Sequence, residues 1–214
     1  MGLDATDKGN TTYEPIPADT HAGICISVID IGTQHIEKWD NWTHKVIIVW
    51  ELPHVRLEWK DDDGEHDVPR VISREFTMSL SNKAHLRKFL ETWRGKPFSV
   101  EELAGFNVGA LEGAPALLTV LNNTKGDRTY SNVEGISKLP AAMEVPDSEI
   151  GTRRFDMDNY ENTTDMDKDV REMGIPEWIH KKIQKSREYS NMLANEMGEA
   201  PATTKPVEDD DIPF

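Results

Sequence analysis

Apolar runs separated by turn signals occupy residues 13–145, and their period changes along the way. Residues 21–31 (HAGICISVIDI), 45–51 (KVIIVWE) and 70–80 (RVISREFTMSL) are rich in Ile, Val and aromatic side chains, which suit the pleated, half-buried surface of a strand. The acidic stretch KDDDGEHD (60–67), with Gly64 inside it, fits a hairpin turn between the second and third of these. The spacing then lengthens. Leu86, Phe89, Leu90 and Trp93 recur at helical intervals and predict a helix over 82–93, with Ser81 or Asn82 as N-cap and Gly95 and Pro97 to stop it. A short helical turn is expected at 100–104. Two more strands follow at 115–121 (PALLTVL) and 128–139, joined by the hairpin signal NNTKGD.

Strand, strand, strand, helix, strand, strand is the element order of the OB-fold, a five-stranded Greek-key barrel with a helix between strands 3 and 4. The expected class is mainly β. Residues 1–12 are small, polar and aperiodic and read as a disordered terminus. Residues 13–145 form the expected barrel domain. From 146 the composition shifts to acidic stretches with few apolar anchors, followed by a helical pattern over 176–197 in which Trp178, Ile179 and Ile183 share a face. Residues 199–214 read as a flexible Pro/Ala/Thr linker with an acidic tip.

Composition sharpens this division. Hydrophobic residues are 37% of the 214, below the roughly 45–50% of a compact soluble domain, as expected of a chain that is partly tail. The net charge is −15. Residues 1–145 carry 15 basic and 22 acidic side chains, a net of −7, and residues 146–214 carry 9 and 17, a net of −8, so the last third holds more than half of the excess. One cysteine, Cys25, excludes a disulfide framework and reads as an inert small hydrophobe in a strand. No apolar run approaches the roughly 20 residues that span a bilayer, and no signal peptide opens the chain, so a cytoplasmic location is expected.

Little here suggests catalysis. There is no phosphate-cradling GxxxxGK[ST] and no HExxH among seven scattered histidines. His66 within DDDGEHD lacks the later Glu and the Gly position of a calcium loop, and Asp156, Asp158 and Glu161 resemble nuclease carboxylates only in composition. No catalytic residue, metal or cofactor is expected.

The ending Asp209, Asp210, Asp211, Ile212, Pro213 and Phe214 points instead to a partner. A terminal Phe offers a ring and an α-carboxylate together. A basic-rimmed pocket on another protein could take both, with the acids attracting it from a distance and Pro213 lowering the cost of ordering. DDDIPF resembles the C-terminal tip of bacterial single-stranded-DNA-binding proteins, which recruits replication and repair enzymes. The preceding domain is similar to OB-fold single-strand binders of bacteriophages, through SREFTMSL (73–80), LRKFL (86–90) and WRGKPF (93–98). The resemblance implies a non-enzymatic protein that coats single-stranded DNA during replication, recombination and repair.

Binding without sequence preference needs a basic groove and flat aromatic platforms. Trp39, Trp42, Trp50, Phe76 and Tyr130 are the stacking candidates, and Lys38, Lys45, Arg70, Arg74 and Arg128 the phosphate contacts. Trp39 and Trp42 stand out, since they sit among charged residues in a presumed loop over 34–45, where an indole has no packing reason to be. Trp50 suits core and platform equally, and Phe76 alternates with Arg74 and Met78 in a pattern that favours core over platform. The charge split further suggests that the acidic tail competes with DNA for the groove. Two other functions fit parts of the pattern: an adaptor or decoy that uses the tip without touching DNA, and a nuclease using the 156–167 acids.

Overall fold

In a computed structural model, residues 14–61, 63–145 and 147–198 are described, and residues 1–13 and 199–214, including the whole of the 209–214 tip, lie outside them. The strands are β1 (Thr20–Ile36), β2 (Asn41–Asp61), β3 (Gly64–Thr77), β4 (Pro115–Lys125), β5 (Arg128–Ser137) and a short β6 (Arg153–Phe155). The helices are α1 (His85–Arg94) and α2 (Val100–Ala104), then α3 (Thr163–Glu172), α4 (Glu177–Ile183) and α5 (Arg187–Glu196).

Five strands pair antiparallel in the order β3-β2-β1-β4-β5 and curl until the two ends of the sheet meet, a nearly closed barrel consistent with an OB-like fold. Among the described residues no ladder closes the seam. Arg74 on β3 closes it by donating from Nη1 to the carbonyl oxygens of Val133 and Glu134 on β5, at 2.7 and 3.2 Å. Bulges in β1 after Cys25 and after Asp30 let this strand bend along two neighbours: its start pairs with β4 and its remainder with β2.

The side chains of β2 alternate between two cores. Val46, Ile48, Trp50 and Leu52 enter the barrel interior, which α1 closes with Leu86, Phe89, Leu90 and Trp93. Ile47 and Val49 point outward into a second core with Ile26, Ile29 and Ile31 of β1. Its other half comes from the C-terminal extension: Phe155, Met157, Met166, Val170, Ile175, Ile179 and Ile183. The expected scarcity of apolar anchors after residue 146 is therefore corrected. Three residues of β6 pair parallel with Ser27–Ile29 of β1, and the carboxylate of Glu51, fully buried, accepts from the Ser148 hydroxyl and from the amides of Glu149 and Ile150. The extension is fastened to the barrel by strand pairing, an apolar layer and a buried carboxylate.

Three local expectations change. Helix α1 begins at His85 behind Ala84, which makes no side-chain cap, so neither Ser81 nor Asn82 is its N-cap; it ends as expected at Gly95 in the left-handed conformation, φ 69°. The single helix over 176–197 is two. Ser186, fully buried, caps α5 by accepting from the Tyr189 amide and so interrupts the run between Ile183 and Arg187. The presumed loop over 34–45 is almost all strand, with only residues 37–40 turning between β1 and β2.

Candidate nucleic-acid interface

The proposed stacking and phosphate residues fall into three groups. Trp50 and Phe76 belong to the barrel core. Trp50 is fully buried, with ring centroids 5.7 Å from Trp93 and 5.9 Å from Phe89, and Phe76 packs on Phe89 at 4.7 Å. Neither offers a face to a base, because both side chains are needed to fill the interior. Arg74 is likewise committed, its guanidinium bonded across the seam and lying 5.2 Å from the ring centroids of Phe76 and Phe89.

Tyr130 and Arg128 form the second group, exposed on the β4–β5 hairpin, where Arg128 pairs opposite Lys125. That hairpin leaves from the beginning of β1, whereas the β1–β2 turn lies at its end, so the two hairpins do not make one continuous patch. Arg70 is half-buried on β3, opposite Leu52.

The third group, at the β1–β2 turn, is where aromatic and cationic side chains converge. Trp39 is half exposed, and the Lys38 ammonium sits 4.5 Å from its ring centroid. Trp42 lies between the His35 ring at 5.0 Å and the Arg187 guanidinium at 4.8 Å. Arg187 brings α5 into the site, and further contacts hold α5 and the end of α4 there. Glu188 accepts from the Thr33 amide at 2.7 Å and from its hydroxyl at 2.5 Å, and Gln34 Nε2 donates to the Lys182 carbonyl at 3.0 Å. Gly32 makes the close approach possible: at φ 68° its Cα faces Ser186, Met157 and Glu188 with no room for a Cβ.

The end of α4 thus joins the turn. Lys181 and Lys185 are exposed there, and Lys182 lies 5.9 Å from the ring of half-exposed Trp178. Lys45 and Lys182 share one counter-ion, Glu75 of β3, with Lys45 at 2.8 Å. Burial alone would raise the Glu75 carboxyl, but these two ammonium groups outweigh it and hold the carboxyl below its ordinary range. Both ammonium groups are therefore already paired.

This surface carries indoles interleaved with cations within an otherwise acidic chain: Trp39, Trp42 and Trp178 with Lys38, Lys181, Lys182, Lys185 and Arg187. Comparison with models of protein families, with curated proteins and with solved structures finds no match. Trp178 and the cations of α4 and α5 were not among the sequence candidates, because the summed acidity of residues 146–214 hid the local run W-x-x-K-K-x-x-K-x-R over 178–187.

Two other polar groups singled out by the sequence brace turns. His66 stacks on Trp59, centroids 4.5 Å apart, and its Nε2 bonds Asp61 at 2.8 Å, which makes the acidic 60–67 stretch a braced hairpin. Asp156 accepts from the Asp158 amide and caps a turn. Among the described residues no three His, Cys, Asp or Glu side chains gather as a cation site. No helix among them is long and apolar enough to cross a membrane.

Proposed function

We propose that the chain binds single-stranded DNA through the ridge formed by the β1–β2 turn and the α4–α5 junction. The barrel is read as an OB-fold with Greek-key connections, of the kind found in phage single-strand binders. The observation that carries this reading is two half-exposed indoles, each with a cation at its ring, Lys38 at Trp39 and Lys182 at Trp178, together with Arg187 on Trp42 and exposed Lys181 and Lys185 in the intervening α4–α5 segment. Flat rings bind bases of any sequence, and neighbouring ammonium and guanidinium groups meet the backbone between them. The net charge of −15 does not oppose this, since phosphates respond to the field of the local surface. Residues 209–214 are proposed to recruit a replication or repair enzyme through Phe214 and the acids before it, the protein itself performing no chemistry.

Titrating the full chain with oligo(dT) while recording tryptophan emission tests the DNA reading. The expected result is quenching that saturates, weakens as salt rises, and shrinks in Trp39→Ala and Trp178→Ala. Unchanged emission together with no retention of a labelled oligonucleotide in dilute buffer would remove the DNA role and leave the adaptor reading.

A further inference from the structure

We propose that the cleft between the outer face of the barrel and the start of α4 receives one unpaired nucleobase from the bound strand. This inference rests on the DNA-binding reading above and adds to it a defined seat for a single base. The cleft measures about 350 Å³, within the range of small-ligand sites. Its floor is Ile29 and Val49, with Ile175 and Trp178 on the extension side. Val71, Ile150 and Trp178 rim the opening, and they are 43%, 37% and 50% exposed, a run of apolar surface on a strongly charged protein. Such a patch signals a site that something covers.

The polar groups narrow the choice of occupant. Ser27 lines the cleft at 4% exposure, and its hydroxyl has no hydrogen-bond partner. A buried hydroxyl is costly until a ligand supplies a partner. Arg153 lines the same cleft and adds guanidinium donors to its lining. An aliphatic or phenyl group would fill the apolar walls but leave the Ser27 hydroxyl unsatisfied, and a phosphate would satisfy the donors but face hydrocarbon on both sides. A nucleobase has two apolar faces and a polar edge carrying both donors and acceptors, which matches the apolar walls and the Ser27 and Arg153 groups together. The Lys182 ammonium lies 5.9 Å from the Trp178 ring and is held by Glu75, so it fixes this wall of the cleft.

The cleft exists only because the extension docks on the barrel, so the seat belongs to this composite surface and not to the sheet alone.

The test compares the full chain with Val71→Trp, which closes the mouth from an exposed position, and Ser27→Ala, which removes the orphan hydroxyl. Each is titrated with oligo(dT) and with a strand of the same length made wholly of abasic sites, and melting temperatures confirm that the variants fold. The expected result is that Val71→Trp loses about tenfold in affinity for the base-bearing strand, the equivalent of one stacked base, while its affinity for the abasic strand is unchanged. If Val71→Trp does not fold, Ser27→Ala decides by the same comparison, with a several-fold loss expected. Folded variants that bind oligo(dT) as the parent does, or that lose both strands equally, overturn the base seat while leaving ridge binding intact. A parent chain that ignores both strands in dilute buffer overturns the ridge and the seat together.

Discussion

Two tryptophans of this chain separate what a residue does for folding from what it is proposed to do for binding. Trp50 fills the barrel with its ring, yet its Nε1 is buried without a hydrogen-bond partner. Trp50→Ala is expected to cost about 3–5 kcal/mol through the cavity it leaves. Trp50→Phe keeps most of the packing and removes the orphan donor, so its cost should stay under about 1.5 kcal/mol; urea denaturation of the two variants checks the contrast. Trp39→Ala should change stability by no more than about 0.5 kcal/mol and weaken oligo(dT) binding by about 1–3 kcal/mol. His44 supplies a pH dependence. Its hydrogen bond to Asp30, 2.7 Å, lifts the imidazole above its ordinary range despite partial burial. A raised folded value means that the stabilisation is present below the unfolded value, about 6.5, and is lost as pH rises through the folded one. Melting temperature should therefore fall across that window, and His44→Asn should flatten the fall.

Among the elements, α4 is the one whose position matters most, and Glu75 on β3 anchors it. The carboxylate binds Lys182 of α4 and Lys45 of β2 together, holding the helix down while neutralising two cations beside the ridge. Glu75→Gln is expected to lower the melting temperature and, in dilute buffer, to tighten oligo(dT) binding several-fold; a loss of affinity instead would show that placing α4 outweighs charge. The strands were readable in advance because Ile, Val and turn residues mark them locally, and so was α1 from four apolar residues at helical spacing. The continuous apolar run of residues 46–50 was also a sign that β2 is covered on both faces, since a strand with one wet face alternates. What covers the outer face could not be read locally. Phe155, Met157, Met166 and Val170 are dispersed among acids, and only the folded chain gathers them. The candidate site followed the same rule: Trp39 and Trp42 were findable as indoles among charges, whereas their partner Arg187 lies 145 residues beyond Trp42 and is joined to it only by the docking of α5.

At the scale of the whole molecule, the extension packs on the barrel so that two apolar layers share β1 and β2. Ending the chain after residue 145 would expose Ile26, Ile29, Ile31, Ile47 and Val49 on the outer face, and the expected outcome is aggregation or partial unfolding, read by light scattering and circular dichroism. Deleting residues 199–214 removes a net charge of −4, from Lys205 against Glu199, Glu208, Asp209, Asp210 and Asp211. That deletion should tighten oligo(dT) binding at low salt and leave it unchanged at high salt; equal affinities throughout would show that the tail does not compete. The parallel pairing of β6 with Ser27–Ile29 has a consequence for synthesis. A nascent chain presents that edge of its first long strand early, and the segment that completes it emerges some 120 residues later. Until then the growing polypeptide carries an open, greasy flank that a chaperone at the ribosome exit is well placed to shield.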